Sequence, residues 1–151
     1  MKRGPVAGGT LRLVLRGSGA EVVREAQLAV SAFLLGHGAG PRTAARAELL
    51  LEELALNTLR HGFPAGGSPE MTVLAWHDGT RYGLDLLDRG APFDPTAADL
   101  PSRPASLKDA PIGGRGLTLL RRIAAELAYE RTGDGCNCLR VVLPAEDATI
   151  V

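Results

Sequence analysis

Glu53-Leu54-Ala55-Leu56-Asn57-Thr58-Leu59-Arg60-His61-Gly62 is the stretch that decides how this 151-residue chain is read. It closes a run that opens at Pro41, a residue suited to a first helical turn, and stops at Gly62. The run predicts a helix from Pro41 to about His61, apolar over much of its circumference and so buried on more than one side. Glu53, Asn57 and His61 recur at four-residue steps and form one inclined stripe, flanked by Leu49, Leu50, Leu54 and Leu56. Two readings of the stripe stand. It is either the solvated side of an amphipathic helix, with Glu48 and Glu52 equally exposed, or a polar seam among leucines that needs partners. On the second reading Asn57 offers an oxygen to Mg²⁺, and Glu53 is a base that orients a water or a hydroxyl.

Working outward, Thr10 to Arg16 sets Leu11, Leu13 and Leu15 against Arg12, Val14 and Arg16, the alternation of a half-buried strand. A helix is expected from about Ala20 to Leu35, capped by Ser18 or Gly19 and ended by the glycines from Gly36 to Gly40. Beyond the central helix, Met71 to His77 and Tyr82 to Leu87 read as strands joined at Asp78-Gly79, a hairpin signal. Asp88 to Gly114 is broken by Pro92, Pro95, Pro101, Pro104 and Pro111 and reads as a long functional loop. A third helix is expected from near Gly116 to about Ala128. A strand at Tyr129 to Thr132, a turn at Gly133-Asp134-Gly135 and a strand at Asn137 to Leu143 follow. This order predicts an α+β two-layer sandwich, a mixed but mostly antiparallel sheet with helices on one face. One domain is expected over residues 8–146, with 1–7 and 147–151 as flexible tails.

Two further constellations carry chemistry. Asp88-Arg89-Gly90 follows an apolar strand. It is an ordinary strand-ending turn, or a carboxylate aimed into a pocket where it accepts hydrogen bonds, as from an exocyclic amine. Ile112-Gly113-Gly114-Arg115-Gly116-Leu117 feeds a helix. It is a glycine-rich hinge, or a set of backbone N–H groups that converge on an anion, with Arg115 adding charge. No Gly-Lys-Ser/Thr follows it and no strand precedes it, which argues against a P-loop and a dinucleotide fingerprint.

Seventeen basic and seventeen acidic residues balance to zero net charge, and aromatic residues make up 4% of the chain. With no basic block, direct nucleic-acid binding is not expected. Leu11 to Leu15 is too short to span a membrane and no signal-peptide run follows Met1, so a cytoplasmic protein is expected. Cys136 and Cys138 are the only cysteines; on a strand they share a face, where a disulfide between them would be strained. They read as reduced thiols. The three histidines stand at no ligand spacing from them, so a metal centre there is not expected.

Taken in order, these stretches resemble the Bergerat-fold (GHKL) ATP-binding superfamily of DNA gyrase, Hsp90, histidine kinases and MutL. Glu53 to Gly62 looks like its N-box and Asp88-Arg89-Gly90 like its G1 box. Gly113-Gly114-Arg115-Gly116-Leu117 looks like its G2 box, and Gly133 to Leu139 like the motif that completes the adenine pocket. Asn57-Xaa-Xaa-Xaa-His61-Gly62 and Asp88-Xaa-Gly90-Xaa-Pro92-Phe93-Asp94-Pro95 resemble the anti-sigma-factor serine kinases of the RsbW type. Pro92 stands at the second glycine of the wider family, and Asn137 where many relatives carry threonine. Lys108 and Arg103 are the basic residues inside the loop between the boxes.

The resemblance implies an Mg-ATP site with Glu53 as catalytic base, Asn57 as Mg²⁺ ligand and Asp88 on adenine. It places His61, Gly90, Pro92, Phe93, Gly113, Gly114, Arg115, Gly116, Leu117 and Asn137 around the nucleotide. It further implies a serine kinase whose partners are a sigma factor and a STAS-type anti-anti-sigma protein. The alternative is a nucleotide-dependent module that holds a regulator without turnover; the catalytic domain of a histidine kinase is the weaker rival. The helix from Ala20 to Leu35 is apolar enough to serve both the core and a homodimer contact.

Overall fold

Leu13, Val73, Leu86, Leu139 and Tyr129 lie side by side in register and form one row across the sheet that organises this protein. The structure, a computed structural model, describes residues 8–96 and 112–150, with the backbone alone for 112–117. Its elements are β1 (Gly9–Arg16), α1 (Ala20–Gly36), α2 (Pro41–His61), β2 (Glu70–His77), β3 (Tyr82–Asp88), α3 (Ile112–Ile123), β4 (Glu126–Arg131) and β5 (Asn137–Val142). The strands form one sheet in the order β1-β2-β3-β5-β4. Every pairing among the described residues is antiparallel, the limit of the mostly antiparallel sheet expected.

The alternation of side chains divides the sheet into two faces. One face carries that row and its neighbour Leu11, Ala75, Leu84, Val141 and Leu127, and these pack in one apolar cluster with the helices. Val23, Val30 and Leu34 of α1, Leu50, Leu51, Leu54, Ala55 and Leu59 of α2, and Leu120 and Ile123 of α3 supply the helical half. The architecture is thus an α+β two-layer sandwich. On the same face, one step further along, the row reads Leu15, Met71, Asp88, Asn137 and Arg131. Three of its five members are polar, and there the core becomes a site.

On the other face Asp85 is buried, and its carboxylate is met by Arg140 Nε at 2.9 Å and Nη2 at 2.8 Å and by the Trp76 indole N–H at 3.1 Å. The Arg140 guanidinium also lies 5.0 Å from the Trp76 ring centroid. The hydrogen bonds to Asp85 raise the Arg140 pKa, against the opposing pull of desolvation.

Both ends of α2 are held by residues remote in sequence. No side chain caps it at Gly40. Instead Glu146 accepts the Arg42 N–H at 2.9 Å and the Thr43 N–H at 2.8 Å, putting a carboxylate at the positive end of the helix. A Cβ at residue 40 would lie 2.3 Å from the Glu146 carboxyl carbon, so glycine there lets the carboxylate in. Arg46 reaches the carbonyls of Ala145 and Ala148, and Ile150 packs on the core. The segment expected as a tail is therefore docked through residue 150.

Two expectations need correction at the C-terminal half. α3 begins at Ile112, directly after Pro111, and not near Gly116, so Gly113, Gly114 and Gly116 lie in its opening turns. It ends at Ile123 and not at Ala128, because Leu127 and Tyr129 alternate inward and pair with β5 from Glu126 on. Two-residue periodicity and strand pairing win there over helix propensity. Arg121 of this helix donates to the carbonyls of Pro95 and Thr96. Residues 97–111 of the expected loop lie outside the described residues, Arg103 and Lys108 among them.

Two expected outcomes follow. Arg140→Ala removes the guanidinium from a buried carboxylate and destabilises the fold by about 3 kcal/mol or more, read by urea titration. For Glu146, desolvation raises the pKa, but the two backbone N–H groups, the Thr43 side chain and the Arg42 charge together outweigh it, leaving the carboxyl below its ordinary 4.5. Stability from such a lowered pKa is complete above the ordinary value and is lost as pH falls through the folded one. Glu146→Gln therefore lowers Tm at neutral pH, and its gap from wild type closes on acidification below about pH 4.

Candidate functional site

The polar row opens into a cavity of about 430 Å³, a volume suited to a small organic ligand. Leu54, Asn57, Thr58, His61 and Gly62 of the α2 end form one wall; Leu86 and Asp88 of β3, with Asn137 and Leu139 of β5 and Tyr129 of β4, form the floor. Ala91, Pro92, Phe93 and Pro95 close the side. The lining is largely apolar, with a few polar groups at fixed points.

Asp88 is the best fixed of these. Its Oδ1 accepts the Gly90 N–H at 2.9 Å and the Asn137 amide at 3.0 Å. No described residue hydrogen-bonds to its Oδ2, which leaves the cavity an oxygen that can only accept. The Asn137 Nδ2 also donates to the Ala91 carbonyl at 2.9 Å, while its Oδ1 accepts from the Tyr129 hydroxyl at 2.5 Å and Arg131 at 2.9 Å. Arg131 further donates to the Gly90 carbonyl at 3.1 Å.

The turn after β3 is locked to the end of α2. The Ala91 N–H donates to the Gly62 carbonyl at 2.9 Å. A Cβ on residue 90 would come within 2.3 Å of that carbonyl oxygen, so only glycine allows the approach. The Asp88-Arg89-Gly90 motif therefore needs its glycine for contact with a second element.

Of the residues expected around a nucleotide, Asn57, His61, Asp88, Pro92, Phe93 and Asn137 line this one cavity, and Gly90 lies behind it. Glu53 is half-buried one helical turn before Asn57 and does not line the cavity. Gly113, Gly114, Arg115, Gly116 and Leu117 are placed by backbone only, in the opening turns of α3. The sequence reading missed Tyr129, Thr58, Leu86 and Leu139. Leu86 and Leu139 lie two residues from Asp88 and Asn137 on the same strand faces, so alternation alone would have found them. Tyr129 depends on the β4–β5 register, which no local pattern encodes.

The donor set bears on Mg²⁺. No described residue hydrogen-bonds to the Asn57 carboxamide, and among the described residues no group of three or more His, Cys, Asp or Glu is placed to hold a metal. That suits an ion held by one hard oxygen together with phosphate oxygens and water, as Mg²⁺ commonly is. It does not suit a site built from protein ligands alone.

Asn137 is buried, so its truncation tests the arrangement. Asn137→Ala strands the Tyr129 hydroxyl and the Ala91 carbonyl together and is expected to cost about 1–3 kcal/mol per buried group left unsatisfied. The measurement is urea unfolding, and an unchanged midpoint would contradict it.

The comparisons with known proteins agree with this geometry. Residues 18–143 match the family model described as histidine kinase-like ATPase domain. A curated protein, serine/threonine-protein kinase BtrW of Bordetella bronchiseptica, is 35% identical over 91 residues, 60% of this chain and 63% of that protein. The match thus spans less than two thirds of the relative's length. Among solved structures, the RsbU and RsbW domains of a Mycobacterium tuberculosis protein superpose with a TM-score of 0.62 at 17% identity, covering 93% of this chain and 35% of that one. The SiaB–SiaC complex of Pseudomonas aeruginosa gives 0.58 at 19%, covering 87% and 88%. These two likenesses concern the fold. With its family model matched over most of its length, the chain belongs to the histidine kinase-like ATPase domain family.

Proposed function

We propose that this chain binds Mg-ATP in the cavity between α2 and the polar end of the sheet and acts as an anti-sigma-type serine protein kinase. The observation that carries the reading is the pairing of Asp88 in the floor and Asn57 in the wall of one largely apolar cavity. Asp88 Oδ2 is placed to accept from the exocyclic amine of adenine, whose flat ring suits Leu54, Leu86, Leu139 and Tyr129. Asn57 supplies an oxygen to Mg²⁺, and the ion neutralises charge on the phosphates when bound. The start of α3, with Gly113, Gly114 and Gly116 in its opening turns, offers backbone N–H groups and a helix dipole to those phosphates. Arg115 and Leu117 belong to the same stretch. His61, Pro92 and Phe93 border the mouth.

In this reading Glu53 orients the serine hydroxyl of a partner and takes its proton as the γ-phosphoryl group is transferred. The partner is an anti-anti-sigma protein of STAS type, and a sigma factor competes for the same regulator. The kinase name of the Bordetella relative and the partner complex of the Pseudomonas structure support the proposal. A second reading, a module that binds nucleotide and holds a regulator without turnover, is favoured by one observation: Glu53 does not line the cavity.

Calorimetric titration with Mg-ATP and Mg-ADP tests the site. Wild type is expected to bind both, and Asp88→Asn to bind at least about tenfold more weakly, the scale of one hydrogen bond to a charged group. Transfer of radiolabel from ATP to an encoded neighbour protein separates the two readings. Glu53→Ala should keep ATP affinity and lower transfer by about 10²–10⁴-fold. Wild-type binding without transfer supports the module, and no binding by wild type refutes the site.

A further inference from the structure

Cys136 and Cys138 have no role of their own in the proposed nucleotide site, yet they bracket Asn137, which holds Asp88 in place. Both are thiols, and their Sγ atoms lie 3.7 Å apart. Asn137 stands between them, its side chain on the opposite face of the sheet holding Asp88 and Ala91. We propose that Cys136 and Cys138 form a dithiol modification site, which a hydroperoxide converts to an intrachain disulfide that displaces Asn137 and weakens nucleotide binding. The consequence for nucleotide rests on the proposed function above; the oxidation does not.

With the peroxide as the two-electron oxidant, the chemistry balances. Cys136 is half-buried and Cys138 is buried, so the peroxide meets Cys136 first. Its sulfur attacks the O–O bond, which breaks to give a sulfenic acid on Cys136 and one water when the peroxide is hydrogen peroxide, or an alcohol when it is an organic hydroperoxide. The Cys138 sulfur then attacks that sulfenic sulfur; the S–S bond forms, the S–O bond breaks and water leaves. Two thiols lose two electrons, and the peroxide gains them. The 3.7 Å separation holds the two sulfurs in contact for the second step.

The geometry also says which atoms must move. Two residues along a strand span about 6.6–6.8 Å, at the far end of the Cα separations of about 4.4–6.8 Å that a disulfide tolerates. Closing the bond brings the two sulfurs from 3.7 Å to about 2.05 Å and draws in the chain on either side of Asn137. Cys136 is fixed on one side: its N–H donates to Thr132 Oγ1 at 3.1 Å and its carbonyl accepts the Thr132 N–H at 2.9 Å. Cys138 is fixed on the other, in the β3–β5 ladder opposite Leu87. Asn137 lies between them in the same ladders, opposite Asp88 and Arg131, so the contraction shifts its backbone and weakens its bonds to Asp88 Oδ1 and the Ala91 carbonyl. A disulfide strained in this way is readily reduced again, so the modification is reversible.

The test uses the intact chain, reduced and then treated with one equivalent of hydrogen peroxide. The expected product has lost two hydrogens by intact mass and carries an intrachain Cys136–Cys138 link by non-reducing digestion. Its Asn137 side-chain amide resonances shift, its Mg-ADP affinity falls about tenfold, the scale of one hydrogen bond to a charged group, and a thiol reductant restores both. Cys136→Ser and Cys138→Ser should bind Mg-ADP as reduced wild type does and lose only the response to peroxide. Three results overturn the proposal: a crosslink between chains, over-oxidation without the link, or a link that leaves the Asn137 resonances unmoved. If reduced wild type binds no nucleotide, the nucleotide reading fails, while the mass and the Asn137 resonances still decide the modification site.

Discussion

One buried carboxamide joins four partners where three strands of the sheet come together. Asn137, the first residue of β5, holds Asp88 at the end of β3, Ala91 in the turn beyond it, and Tyr129 and Arg131 on β4. The same turn reaches α2 through the Ala91 N–H and the Gly62 carbonyl. Floor and wall of the cavity are thereby referred to a single side chain. An amide suits that position because it donates with one end and accepts with the other, and the groups around it need both. Threonine, with one hydroxyl and a shorter reach, could not offer two N–H bonds to Asp88 and Ala91 while accepting from Tyr129 and Arg131.

The constraint explains why the polar row lies where it does. Two successive rows of the sheet are apolar from β1 to β4 and pack under the helices. The next row keeps Leu15 and Met71 at one side and places Asp88, Asn137 and Arg131 at the other. Polar groups at that depth are tolerable because they satisfy one another before any ligand arrives. What remains over, a carboxylate oxygen of Asp88 and the amide of Asn57, is what the cavity can offer a ligand.

The sequence made local features legible and left long-range ones hidden. α2 was readable to its residue bounds, since Pro41 and Gly62 punctuate it and its leucines repeat at helical spacing. β1, β2, β3 and β5 were readable within a residue or two from alternation. α3 was not, because its glycines argue against the helix that contains them and only packing of Leu120 and Ile123 decides otherwise. Glu146 at the start of α2 and Arg140 beside Asp85 are contacts across more than fifty residues, with no periodic trace. At the site, Asp88, Asn57 and Asn137 were found as motif members, whereas Tyr129 came only with the register of β4 on β5.

That Glu53 misses the cavity follows from helix geometry. Four residues along α2 separate it from Asn57, about 6 Å of helix rise. A molecule that touches Asp88 with one end and passes Asn57 must extend by about that length again to come under Glu53. An adenine base alone cannot do so, whereas a nucleoside triphosphate running from the sheet towards the first turns of α3 is long enough. On the proposed kinase reading, binding and turnover lie at two stations along the length of α2. The first is built by Asn137 and the strand ends, and the second depends on how the phosphates leave the first. Mutations around Asn137 should act on both, since they move the origin from which the ligand is measured, while mutation at Glu53 acts on the second alone.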